Sequence, residues 1–216
     1  MPVITKISPQ KRRPSRRSVY LDGQFAFGCH LNVVARFRLR EGLSLNSAKV
    51  KEIELGEVKQ ECLDHALKLL SARLHSTREI RTKLLRREYG AEVIDAVIAD
   101  LTRMGYLDDS QFARAKAQFA AKIKKQGKRR AKMDLIKAGV KSDVADSALH
   151  DVYDQTDTLS VARELARKQA PRLKKYDTQT ARRRLAGMLQ RRGFDYDDVK
   201  SVINETIGRL RGDEID

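Results

Sequence analysis

The spacing of apolar positions divides the chain into a short β-type beginning and a long helical remainder. Val3 to Ile7 is β-branched, and SVYLDGQFAFG holds two short apolar runs joined by Asp22-Gly23. Asp-Gly supplies the positive φ angles of a type I′ turn, so this segment predicts a β-hairpin. A hairpin so small is not stable alone and is expected to pack on a helix or extend to Val3–Ile7. Leu31 to Leu39 then predicts a short helix ending near Glu41-Gly42, and Leu45 to Glu57 a solvated helical connection with few apolar residues. From about Glu61 the stripe strengthens, with Leu63, Ala66, Leu67 and Leu70 at helical spacing. Ser76 and Glu79 form a capping-box pair ahead of Ile80, Leu84 and Leu85. Ile94, Val97, Ile98, Leu101 and Met104 make the next helix, with Gly105 at its C′ position. Asp108 or Asp109 can cap a helix bearing Phe112, Ala115 and Phe119.

This pattern returns twice. Leu84, Tyr89, Ile94 and Ile98 lie five, five and four residues apart, and the intervals recur in Leu135, Val140, Ala145, Leu149 and in Leu189, Phe194, Val199, Ile203. A glycine stands beside the middle position each time: Gly90, Gly139 and Gly193. Three matches in register, roughly fifty residues apart, indicate an internal repeat of a three-helix unit. The expected fold is mainly α, with an N-terminal extension over 1–58 and repeats over 59–108, 109–155 and 156–216. The third repeat opens near Asp157, and Pro171 ends or kinks its first helix. Its last helix carries Val199, Val202, Ile203, Ile207 and Leu210, and the acidic Asp213-Glu214-Ile215-Asp216 is expected to fray. A unit of this size lies near the lower limit for folding alone, so neighbours should share buried surface. The expected state is a monomer, because the repeats bury one another's apolar faces.

Charge changes the picture. The formal net charge is +16, and the positive residues are clustered. Lys11, Arg12, Arg13, Arg16 and Arg17 form an N-terminal arm, read as a flexible basic segment or an exposed hairpin loop. The middle helix of each repeat is basic: Arg81, Lys83, Arg86 and Arg87; then Lys128, Arg129, Arg130 and Lys132, with Lys124 and Lys125 before the Gly127 turn; then Arg182, Arg183, Arg184, Arg191 and Arg192. A single basic helix is most simply a solvated face. A basic helix in every repeat points instead to a polyanion, bound through phosphate neutralisation and counterion release. The run around Gly127 ranks first, because it gathers its cations at one corner where helix N-terminal donors add attraction for phosphate.

Catalytic patterns are absent from the sequence: there is no phosphate-binding glycine loop, dinucleotide fingerprint or paired CxxC motif. Cys62 and His65 share a helix face at a ligand-like spacing, but with no second pair nearby helix packing outweighs zinc binding. Asp108 and Asp109 suggest a metal-dependent nuclease less well than they suggest capping. No cofactor, metal or small-molecule substrate is expected, and no enzyme. The start lacks the apolar core of a signal peptide, and Cys29 and Cys62 do not make a disulfide framework. A soluble cytoplasmic protein without a membrane partner is therefore expected.

GYLDDSQFA at 105–113, LLRREYGAEVIDAVIADL before it, GKRRAKMDLIKAGV and RRRLAGMLQRRGF together resemble the RecX family, regulators of the bacterial RecA recombinase. The resemblance covers roughly residues 60 to 210, and ITKI with SVYLDGQFAFG resembles the extension some members carry. It departs in having Val140 where the other repeats have Tyr89 and Phe194, and Glu88-Tyr89-Gly90 where the third has Arg192-Gly193-Phe194. The resemblance implies three tandem three-helix units in an elongated, curved array that binds RecA–DNA filaments, with single- and double-stranded DNA as partners. It also implies inhibition of recombinase, ATPase and coprotease activities in DNA repair and the SOS response, and it brings no catalytic residue set. Two other readings stand beside it: a free-standing, non-specific DNA-binding (nucleoid-associated) protein, and an adaptor that binds only protein. Few Asn or Gln residues lie on the middle helices, so base-specific readout is not expected.

Overall fold

The alternating N-terminal segment forms an antiparallel sheet in the order β1-β2-β3, with β1 at Ile4–Gln10, β2 at Arg13–Leu21 and β3 at Gln24–His30. The computed structural model describes residues 1–212, so the acidic stretch from Asp213 to Asp216 lies outside the described residues. Asp22 and Gly23 join β2 to β3 with φ of 47° and 85°, the two positive angles a type I′ turn needs. The basic arm is not a flexible segment. Most of it is β2, paired on both sides, and only Lys11 and Arg12 form the turn before it. One face of the sheet buries Ile4, Val19 and Cys29 with Val33 of α1 (Leu31–Arg36) and with Leu39, Leu45 and Ile53.

Ile53 belongs to α2, Ser47–Ala72, which is capped by Asn46 and runs unbroken across residues 58 and 59. The expected solvated connection is thus the first half of a 26-residue helix. Its apolar pattern is thin because the helix serves two cores. Val50 and Ile53 face the sheet, while Cys62 and Ala66 turn to the first three-helix core. That core adds Ile80 and Leu84 of α3 (Thr77–Leu85), and Ile94, Val97, Ile98 and Leu101 of α4 (Ala91–Arg103). Residues 1–74 and 80–107 make up one compact unit.

Residues 75–79 and those from 108 onward make up the second unit, which holds two further cores. The first is formed by α5 (Asp109–Lys122), α6 (Lys128–Lys137) and α7 (Ser142–Tyr153), and is rich in alanine: Ala113, Ala117, Ala120, Ala121, Ala131, Ala145 and Ala148 pack around Leu135 and Leu149. The next is formed by α8 (Thr158–Leu173), α9 (Thr178–Arg191) and α10 (Tyr196–Gly212), around Leu173, Leu185, Leu189 and Val202. Pro171 does not end α8, which continues to Leu173. So near a helix C-terminus a missing N–H removes only one late intrahelical bond.

The five-residue interval of the repeat has a structural origin. After α6 the Val140 amide donates to the Leu135 carbonyl (3.2 Å), and after α9 the Phe194 amide donates to the Leu189 carbonyl (3.3 Å). These are the C″-to-C3 bonds of a Schellman turn, whose partners are commonly an apolar pair. The left-handed residues are Gly139 (φ 88°) and Gly193 (φ 82°). In the first repeat the equivalent residue is Glu88 (φ 64°), not Gly90, which instead has φ −61° and stands as N-cap of α4.

In the second unit the two repeat glycines also form joints. The Gly127 amide donates to the Arg192 carbonyl (2.8 Å) and the Arg129 amide to the Gly193 carbonyl (3.3 Å). Ser76 donates through its hydroxyl to the Ala138 carbonyl (2.6 Å), and Arg78 packs on Gly139. In both joints the start of one repeat's middle helix seats on the turn closing the next repeat's middle helix.

Candidate nucleic-acid interface

Most of the clustered cations have protein partners. On β2, Arg16 meets Glu57 at 2.6 Å and Glu61 at 3.1 Å, and only 17% of its side chain is exposed. Arg17 donates to the Pro14 carbonyl (2.8 Å), which leaves Lys11, Arg12 and Arg13 as the exposed tip. In the first repeat Arg81 pairs with Asp95, and Arg87 reaches His65 Nε2 at 3.3 Å. Arg86 is exposed and Lys83 half-buried.

The corner at Gly127 gathers the expected residues but ties most of them down. Lys125 pairs with Glu164, Arg129 with Asp195 (3.0 Å), Arg130 with Asp134 (3.3 Å) and Lys132 with Asp146 (2.6 Å). Lys124 lies 5.5 Å from the Phe119 ring centre, and Lys128 is half-buried. Nor is the start of α6 open to a phosphate, because the Gly127 and Arg129 amides already donate to the Arg192 and Gly193 carbonyls. Arg192 itself reaches back to the Lys124 carbonyl at 3.0 Å. This corner is a joint as much as a surface.

The Lys125–Glu164 pair has a measurable consequence. The Lys125 ammonium, with Lys168 behind it, holds the Glu164 carboxyl at about 2, below its ordinary value of 4.5. A lowered folded value means that the pair's contribution is complete above pH 4.5 and is lost as pH falls toward 2. The melting temperature of Glu164→Gln should therefore lie below that of the natural chain at pH 7 and converge with it near pH 2. A constant gap across this range would show that the pair does not govern the acid response.

The third repeat leaves two of its middle-helix cations open. Arg182 hydrogen-bonds Asn204, but Arg183 and Arg191 are exposed, and the Arg184 guanidinium stacks 4.2 Å from the Tyr176 ring centre. Arg183, Arg184, Arg191 and Tyr176 line a cleft of about 760 Å³ together with Arg172 and Lys175, which the sequence reading passed over. The available signal was the basic-aromatic run PRLKKY at 171–176, hidden because it is split between the last residues of α8 and the segment that follows it. Among the described residues, no carboxylate lines this cleft. In the neighbouring cleft between α8 and α10, Glu205 takes up Arg163 (2.8 Å) and Arg209 (2.9 Å).

The other candidate chemistry is structural. Burial pushes the Cys62 thiol up to about 11, which disfavours the thiolate a metal needs, and His65 Nδ1 is hydrogen-bonded to the Tyr89 hydroxyl. Asp108 accepts from the Ser110 and Gln111 amides, while Asp109 accepts from the Thr77 amide at 2.8 Å. Both carboxylates thus serve helix starts. No helix among the described residues is long and apolar enough to cross a membrane.

A small sheet followed by three-helix cores with basic faces defines a helical repeat protein. Comparison with known proteins agrees. Models of the RecX N-terminal domain and of the first and third RecX three-helix domains match residues 2–46, 62–101 and 155–203. The chain is 32% identical to the regulatory protein RecX of Leuconostoc mesenteroides, over 96% of this chain and 77% of that one. It is 31% identical to the regulatory protein RecX of Bacillus velezensis, over 95% and 78%. A crystal structure of a regulatory protein RecX superposes with a TM-score of 0.79 at 23% identity, covering 97% of this chain and 100% of the other. The chain belongs to the RecX family of regulatory proteins. These relatives are named as regulators, not for a catalysed reaction.

Proposed function

We propose that this chain is a non-enzymatic, cytoplasmic regulator that binds RecA–DNA filaments as a monomer and inhibits recombinase and ATPase activity in DNA repair and the SOS response. Family membership carries the reading, and the surplus of positive charge on a tandem repeat supports it. Repeats laid along the filament groove would meet DNA phosphates and acidic protein surface together. Occupying that groove would block entry of a second duplex and hinder the subunit changes coupled to ATP turnover. The residues best placed for such contact are those still open: Lys11, Arg12 and Arg13 at the hairpin tip, Arg86 in the first repeat, and Arg183 and Arg191 in the third.

DNA-dependent ATP hydrolysis by preassembled filaments is the deciding measurement, with this protein titrated well below the level that saturates the DNA. Inhibition at substoichiometric amounts is expected. No effect until the protein coats the DNA would overturn the filament reading in favour of a free-standing, non-specific DNA binder.

A further inference from the structure

The cleft of the third repeat sets one aromatic ring among several cations, and among the described residues no carboxylate lines it. Arg172, Lys175, Arg183 and Arg191 line it, and the Tyr176–Arg184 stack stands within the same lining. Tyr176 packs against the third core, and buried Leu173 and half-buried Met188 also contribute to the cleft. The tyrosine's position is therefore set by the fold. Elsewhere in this repeat carboxylates meet the cations: Glu164 takes Lys168 at 2.8 Å, and Glu205 takes Arg163 and Arg209. Excess positive charge beside a fixed ring, in a volume within the range of small-ligand sites, suits a molecule that carries both a phosphate and a flat ring.

We infer that this cleft is a binding site for an unpaired nucleotide of a single-stranded nucleic acid, its phosphates held by Arg172, Arg183 and Arg191 and its base stacked on the Tyr176–Arg184 pair. The inference rests on the nucleic-acid half of the proposed function and assigns it to one place and one strand state. A duplex presents phosphates on a convex surface and keeps its bases stacked inside, so it can use the cations but not the ring. A free strand can use both. Base–aromatic stacking tolerates any sequence, in keeping with the scarcity of base-reading Asn and Gln on the middle helices.

The test is fluorescence anisotropy of the full chain, without recombinase, on a labelled oligothymidylate and on a duplex of equal length. Tyr176→Ala should weaken single-strand binding by about 5- to 100-fold while leaving duplex binding within about twofold. Tyr176→Phe should retain single-strand affinity. Arg183→Gln with Arg191→Gln, on an exposed face where the fold is not at stake, should flatten the salt dependence of single-strand binding by about one unit of log–log slope. Equal weakening of strand and duplex by Tyr176→Ala, or no weakening of either, would overturn the assignment. So would tight binding of ATP with none of the oligothymidylate, which would make the ligand a free nucleotide. Recombinase plays no part in these measurements, so a chain that binds the strand through Tyr176 yet leaves filament ATPase untouched would sink the filament reading and keep this one.

Discussion

Gly193→Ala is expected to lower stability by about 3–5 kcal/mol, among the largest effects of any single methyl addition to this chain. Two costs add at this position. The residue lies at φ 82°, where an L side chain costs about 1–2 kcal/mol. An added Cβ would also lie 2.2 Å from the Arg130 amide nitrogen and 2.9 Å from its Cα. Backbone cannot swing aside as a flexible side chain does, so the joint between α6 and the turn after α9 must open. The bonds from Gly127 to Arg192 and from Arg129 to Gly193 would be lost with it. Gly105 supplies the control, because it has φ 75° but nothing within 4 Å of its added Cβ. Gly105→Ala should cost only the conformational part, about 1–2 kcal/mol. Denaturant melts of the two variants decide the matter, and equal losses would mean that close approach at the joint contributes nothing.

Leu135→Ala should be comparably damaging, at about 3–5 kcal/mol. Leu135 is fully buried in a core whose other members are largely alanines. Alanine neighbours have no reach with which to fill the space a lost leucine leaves. Hydrogen exchange should speed up in α5, α6 and α7 first, while amides of α4 keep their protection. A loss below about 1 kcal/mol would show that the alanine-rich core collapses onto the gap after all.

The contrast between these positions and the surface explains what could be read in the chain beforehand. Turn chemistry is local. The five-residue interval from Leu135 to Val140 and from Leu189 to Phe194 is the reach of a Schellman turn, and Asp22-Gly23 announces its own φ angles. Caps such as Asp157 on Ser160 and Asp177 on Thr180 are equally short-range. The fate of the cations was not legible, because their partners are distant in sequence. Lys125 finds Glu164 and Arg192 finds the carbonyl of Lys124 only once two repeats have packed, and Arg16 reaches Glu57 across the sheet-to-helix core. Counting charge along a helix therefore could not show the ion pairs of the corner at Gly127, nor the cleft that α8, α9 and the segment joining them build together. The first half of α2 was hard to read for a related reason, since its few apolar residues answer to a different core from those of its second half.

Glu88 sets the first repeat's turn apart from the other two. Where Gly139 and Gly193 receive the helix start of the repeat before them, the first repeat places a residue with a full side chain at φ 64°. A fourth repeat grafted upstream would find that seat occupied, and so would the α9 start of a second molecule trying to join head to tail. A string of modules that can pass along its own joint is in danger of growing without limit. At the first turn a Cβ stands where Gly139 and Gly193 have none, so Glu88→Gly is the substitution that an engineer lengthening this protein would make first.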